Sequence, residues 1–345
     1  MTAPVRHLPG RGGRPSATCM SSADTTLTPS APRAPLAHRT RPRKADALVT
    51  SLAVFASGLV LITMALIAWK VTDEAQPAIS EFGLSFLTTN EWNAVTNQFG
   101  AADLIWGTMV TSLFALVLAV PLSLAIALFL SELAPRRLRT PVGMLVELLA
   151  AIPSVVLGLW GILVMGPFLQ QHIEPWLADH FGFIPLFSGT PSNVGLLPAC
   201  LVLTIMIVPI VSSISRELFA GVPSDLKSGA LALGATRWEM VRKVVIPHVS
   251  GGLVAATMLG FARAAGEAIA VAMVIGGTAS RSIHLFAPAD TLAARLANQY
   301  AGAATAMQTA SLAFLAVLLL IISVITNVIA QIIVGRVRRN QRGTA

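Results

Sequence analysis

Charge is what this sequence has little of. Only 12% of its 345 residues are Asp, Glu, Lys or Arg, about half the share of a soluble domain. Hydrophobic residues make up 54%, with a mean hydropathy of +0.73. Most of the chain is therefore expected to be solvated by lipid. Cysteine is nearly absent: Cys19 lies in a polar tail and Cys200 in an apolar run, which excludes a disulfide framework and leaves no thiolate pair at metal-ligand spacing. Six histidines are scattered without an HxxxH pair, so no metal site is expected. The four lysines, Lys44, Lys70, Lys227 and Lys243, follow Arg, Trp, Leu and Arg. A phosphate-cradling GxxxxGK[ST] loop needs glycine there, so the chain lacks that route to ATP hydrolysis and is expected to be no enzyme. Net charge is +8, yet the bases fall in short runs between apolar spans with no aromatic-rich basic surface, which argues against nucleic acid.

What is present is a set of long apolar runs. A bilayer crossing takes about 20 such residues, and six segments qualify: 47–69, 104–131, 144–169, 194–215, 249–276 and 303–334. The expected fold class is all-α, a polytopic membrane protein of six transmembrane helices packed as a bundle, spanning 46–335. Prolines 121, 153, 198 and 209 interrupt several runs, as membrane helices tolerate when neighbours satisfy the freed carbonyls. Residues 1–45 read as a disordered basic tail, because the first 44 hold seven prolines, eight Lys or Arg and one acid, Asp24. Residues 336–345 form a second basic tail. Twenty of the 24 Lys and Arg residues fall on one side of this arrangement and three on the other, which places both termini in the cytoplasm.

Two features carry chemistry. Arg263 and Glu267 stand four residues apart in the apolar stretch GFARAAGEAIAVAMVIGG. On one helix these positions share a face and can pair. Charges inside a span are expensive and by default mark an ion or substrate path; a neutralised pair that only locks the fifth helix is the alternative. The other feature is the polar connector 221–247. Pro223 and Ser224 start a short helix with Asp225 in its first turn. Gly234 stops or bends it, and Pro247 ends the segment at membrane re-entry. Either this is a solvated surface helix, or its small side chains suit insertion into another protein's groove. Polar residues elsewhere read as less informative. Glu132 and Glu147 are expected as solvated caps, Trp92 as an interfacial anchor, and Thr108, Thr111 and Ser112 as hydrogen-bonding residues between helices.

The connector resembles the coupling loop of ABC-type import permeases, Glu-Ala-Ala, three residues, Gly, nine residues, then Ile-x-Leu-Pro. Aligned on Gly234, the segment supplies Ser228, Gly229, Ala230, Gly234, Ala235, Val244, Ile246 and Pro247. Ala230, Gly234 and Pro247 match; Ser228 and Gly229 depart from Glu-Ala. The stretches WGTMVTSLFALVLAVPLSLAIALFLSE, ELLAAIPSVVLGLWGI, ALALGATRWEMVRKVVIP, LGFARAAGEAIAVAMVIGG and TLAARLANQ resemble the phosphate-specific ABC permeases. FLTTNEWNAVTNQFGAADLIWGT is similar to the PstC-type subunit. Ala268 and Ile269 replace the common Thr-Met, and Gln299 a usual glutamate.

The resemblance implies a transmembrane subunit of an ATP-driven inorganic phosphate importer in a bacterial inner membrane, with Arg263 and Glu267 on the translocation path. The implied partners are a PstA-type permease, a cytoplasmic ABC ATPase dimer gripping the coupling loop, an extracytoplasmic phosphate-binding protein and membrane lipid. No cofactor is expected in this chain, ATP and Mg belonging to the ATPase. Rival readings are an importer of another oxyanion, such as sulfate or molybdate, and a polytopic membrane enzyme. The latter needs clustered acids or histidines that the outer loops lack.

Overall fold

A computed structural model describes residues 44–342. The expected disorder of 1–45 falls almost wholly outside them. The chain divides into two compact units, Met1–Leu59 and Val60–Ala345. The described part of the first is helix alone, the opening of α1 (Lys44–Phe82). All packing discussed below lies within the second.

Beyond α1, a two-stranded hairpin (β1, Trp92–Asn93; β2, Gln98–Phe99) precedes α2, Ala102–Leu128. A wide π-helical turn, Phe129–Leu133, prolongs α2. The amphipathic α3, Arg136–Ala151, is followed by α4, Ser154–Phe181, and α5, Leu196–Ala220. Short α6, Ser224–Ala232, leads to α7, in which Arg237–Met240, a π turn Val241–Val245 and Ile246–Gly266 run on as one helix. Then come α8 (Ile269–Val274), α9 (Leu292–Gln299) and α10 (Ala306–Arg342). Among the described residues, six helices are long and apolar enough to cross a membrane: Leu48–Leu87, Ala102–Leu133, Ser154–Phe181, Leu196–Ala220, Arg237–Ala265 and Ala306–Arg336.

The number of spans is as expected; several boundaries are not. The first helix continues through Lys70, Asp73 and Glu74, well past the apolar run read as 47–69. The third run, read as 144–169, is cut in two. Ile152 is extended (φ −69°, ψ 125°) ahead of Pro153, because the proline ring clashes with a helical residue before it. The apolar crossing thus begins at Ser154. The fifth run, read as 249–276, starts earlier, at Arg237, and breaks at Glu267 (φ −73°, ψ 120°). Pro247 does not end the connector; it stands inside α7, directly after the π turn Val241–Val245 that widens the helix ahead of it. Helix α10 carries the expected basic tail through Arg342, leaving 343–345 outside the described residues. The stretch TLAARLANQ is largely α9, with Leu292, Ala293, Ala294 and Arg295 buried.

α2 and α5 pack most extensively, with α7 against both and against α10. Leu203, Ile207, Val211 and Ala256 lie in the central apolar cluster. Glycines set the closest approaches. A Cβ on Gly260 would come within 2.9 Å of Ile207 and Val211 methyls, so this position serves packing. Gly276 (φ 95°) and Gly277 (φ 70°) are turn residues after α8, not part of a helix face. On α2, a Cβ on Gly107 would lie 2.0 Å from the Asp290 carbonyl oxygen. Gly107→Ala is therefore expected to cost about 1–3 kcal/mol through overpacking. Gly335→Ala, with nothing within 4 Å, should be neutral or stabilising by up to about 1 kcal/mol. Thermal unfolding of the purified variants checks this; equal effects at the two glycines would refute the close approach.

Candidate functional site

Arg263 occupies the last turn of α7, and Glu267 is the residue at which that helix stops. Their atoms Nη2 and Oε2 are 3.6 Å apart, close enough to pair but longer than a hydrogen bond. They do not share one continuous helix face. The Glu267 side chain is 8% exposed and that of Arg263 46%. Glu267 Oε1 also accepts from the N–H of Ala270 at 3.5 Å, in the first turn of α8. The carboxylate thus bridges two half-helices, while the guanidinium keeps most of its donors free. Nothing lies within 4 Å of a Cβ on Gly266, so space is open beside the pair.

The other predicted residues gather at the α6 corner. Gly234 has φ 86°, a left-handed conformation that favours glycine. The Ala235 N–H donates to Ala230 O at 3.2 Å and the Gly234 N–H to Leu231 O at 3.0 Å, the paired bonds that close a helix at a left-handed residue. Thr236 then starts α7 with a capping box, its hydroxyl accepting from Glu239 N–H while Glu239 accepts from Thr236 N–H. Ser228 and Gly229 are exposed, and Ala230 packs against a cluster containing Phe219, Val241 and Val245. Val244 and Ile246 are half-buried on α7 and Pro247 is exposed. Leu231, Leu233 and Trp238 project around the corner, Leu233 being 91% exposed.

Several charged residues are placed where sequence reasoning missed them. Glu132 is not a solvated cap; Lys227 Nζ donates to its Oε1 at 2.5 Å and to Phe219 O at 3.0 Å. Arg216 reaches Glu147 at 2.8 Å. Around α9, Arg295 Nε lies 2.6 Å from Asp290 Oδ2, both side chains being buried. Burial pushes the Asp290 carboxyl above its ordinary range, opposed by the Arg295 guanidinium and the Thr291 N–H. Arg295 also stacks over Trp92, whose Nε1 donates to Gln299 Oε1 at 2.8 Å. Trp92 is therefore part of a polar cluster and not a lone anchor. Thr108 does link helices as expected, accepting from Leu292 N–H at 3.0 Å, whereas the Thr111 and Ser112 hydroxyls donate to carbonyls of their own helix. The one signal available was economy: with so few charges in so apolar a chain, each needs a partner.

Residues 119–339 match the family model described as "Binding-protein-dependent transport system inner membrane component". The chain is 43% identical over 296 residues to "Phosphate transport system permease protein PstC" of Mesorhizobium japonicum, covering 85% of this chain and 90% of that protein. With the protein of the same description from Xylella fastidiosa it shares 40% identity over 321 residues, 92% of this chain and 99% of the relative. Among solved structures, a bacterial alginate ABC transporter in complex with alginate pentasaccharide-bound periplasmic protein aligns with a TM-score of 0.56 and 17% identity, over 84% of this chain and 96% of the matched one. That likeness concerns the fold. The chain belongs to the family of binding-protein-dependent transport system inner membrane components, as a multi-pass permease of the ABC type. Within that family its relatives of highest similarity named here are PstC permeases.

The buried pair at α9 is testable by itself. Asp290→Ala leaves Arg295 buried without its counter-charge and should destabilise the protein by about 3–5 kcal/mol. Adding Arg295→Met should recover most of that loss. Melting curves of the two variants decide; a double variant no better than the single would contradict the pairing.

Proposed function

We propose that this chain is a transmembrane subunit of an ATP-driven importer of inorganic phosphate. The observation that carries the reading is a half-exposed Arg263 guanidinium held by a buried Glu267 where α7 breaks. It is supported by relatives of 40–43% identity that are described as phosphate transport permeases. The guanidinium offers charge-assisted, fork-like hydrogen bonds to a passing oxyanion. Glu267 holds it between passages, because an unpaired charge at this depth costs several kcal/mol. An acceptor carboxylate beside the cation also suits hydrogen phosphate, which carries a hydroxyl to donate at neutral pH; sulfate carries none.

By the same reading both termini face the cytoplasm, a PstA-type permease completes the path, and an extracytoplasmic phosphate-binding protein delivers the anion. The corner formed by Ser228, Gly229, Ala230, Gly234 and Ala235, backed by Val244, Ile246 and Pro247, docks on a cytoplasmic ABC ATPase dimer. ATP and Mg belong to that dimer, and the chain performs no covalent chemistry. The bare Leu231, Leu233 and Trp238 supply apolar contact for the docking.

Arg263→Gln or Glu267→Gln is expected to lower phosphate uptake roughly tenfold or more, the equivalent of one charged hydrogen bond, at normal membrane levels. Undiminished uptake of labelled phosphate by both variants would remove the pair from the path. Competition by sulfate or molybdate in the same assay tests the choice of anion. Gly234→Asp places a charged side chain on this left-handed corner. It should release the ATPase; co-purification at the wild-type yield would count against the docking.

A further inference from the structure

Helix α6 buries none of its residues. The hydrogen bonds of Leu226, Ser228, Leu233, Gly234 and Ala235 all stay inside the segment 223–235. Among the described residues, its polar side-chain bonds to the long apolar helices come from Lys227 alone. That ammonium reaches Glu132 Oε1, in the π turn ending α2, and the Phe219 carbonyl near the end of α5. Both partners are well shielded, with 20% of the Lys227 side chain and 12% of that of Glu132 exposed. A single exposed ion pair would be worth little; one in this setting is costly to break.

We infer that Lys227 and Glu132 form the tether through which α6 pulls on α2, making Lys227 a positioning residue for transport. Besides its chain connections to α5 and α7 and the packing of Ala230, α6 is fastened to the bundle by this pair, which joins it to α2, the helix packed most extensively on α5. The tether stands at the edge of a cavity of about 630 Å³, also lined by Arg139, Gly143, Glu147 and Arg216, which gives the two side chains room to follow the movement without parting. The π turn at Phe129–Leu133 supplies a local departure from α-helical regularity where the pull arrives. The inference rests on the ATP-driven transport reading given above.

The test reconstitutes this chain in liposomes with its companion permease, ATPase and binding protein, and measures phosphate taken up per ATP hydrolysed. Lys227→Met and Glu132→Gln should each lower that ratio about tenfold, within the usual range of coupling between sites, while hydrolysis continues. The exchange Lys227→Glu with Glu132→Lys should restore at least half of it. Wild-type ratios in the single variants would overturn the tether. So would parallel loss of uptake and hydrolysis with nothing regained by the exchange, the pattern of a merely structural pair. Should the neutral variants fail to assemble, Lys227→Arg decides, since it keeps the cation: a retained ratio supports the tether and a lost one overturns it. A wild-type complex that takes up no phosphate removes the substrate reading and not the tether. Stimulation of hydrolysis by the binding protein, lost in the single variants and regained in the exchange, then provides the readout.

Discussion

Lipid offers an ionised side chain nothing to bind, and the placement of charge in this protein follows from that. Asp290 with Arg295 and Glu132 with Lys227 are matched, shielded couples. Glu147 holds Arg216 at the rim of the cavity beside α3. The Arg263–Glu267 couple joins a buried acid to a half-exposed base, an asymmetry it shares with Asp103 and Arg281. A pair built only to fasten helices gains by shielding both members. The open guanidinium suits the passage of an oxyanion proposed above.

Helix breaks convert the bundle from a set of rods into a site. α7 stops at Glu267, α8 resumes at Ile269, and the chain returns through α9 before the last long helix. Irregular backbone at this depth is tolerated where protein buries it or water reaches it. Here Glu267 satisfies part of the break itself, by accepting from Ala270 N–H. Thr108 does the same for the start of α9, through Leu292 N–H.

Six crossings were legible because runs of about 20 apolar residues are a strong signal, and the α6 corner was legible because Pro223, Ser224 and Gly234 punctuate it by local rules. Two breaks were not. Pro153 looked like one of several tolerated prolines, yet its effect falls on Ile152 and divides the run. In ARAAGEAIA only Gly266 hints that the chain leaves the helix at Glu267, and one glycine among alanines is a weak signal. The Thr236-Arg-Trp-Glu239 capping box is a further local signal, standing just after the glycine. The long-range couples were beyond reach for another reason. Glu132 and Lys227 are 95 positions apart, and no periodicity connects residues that only tertiary packing brings together.

The corner at Leu233 has a bearing on the life of the chain before assembly. A leucine 91% bare, with Trp238 61% bare nearby, leaves apolar surface uncovered at the polar end of the bundle. Such a patch is the kind of surface that chaperones and quality-control proteases recognise on orphan subunits. If the proposed docking on the ATPase covers that corner, synthesis of this chain in excess of the ATPase would shorten its lifetime, and supply of the ATPase would set how much of it accumulates.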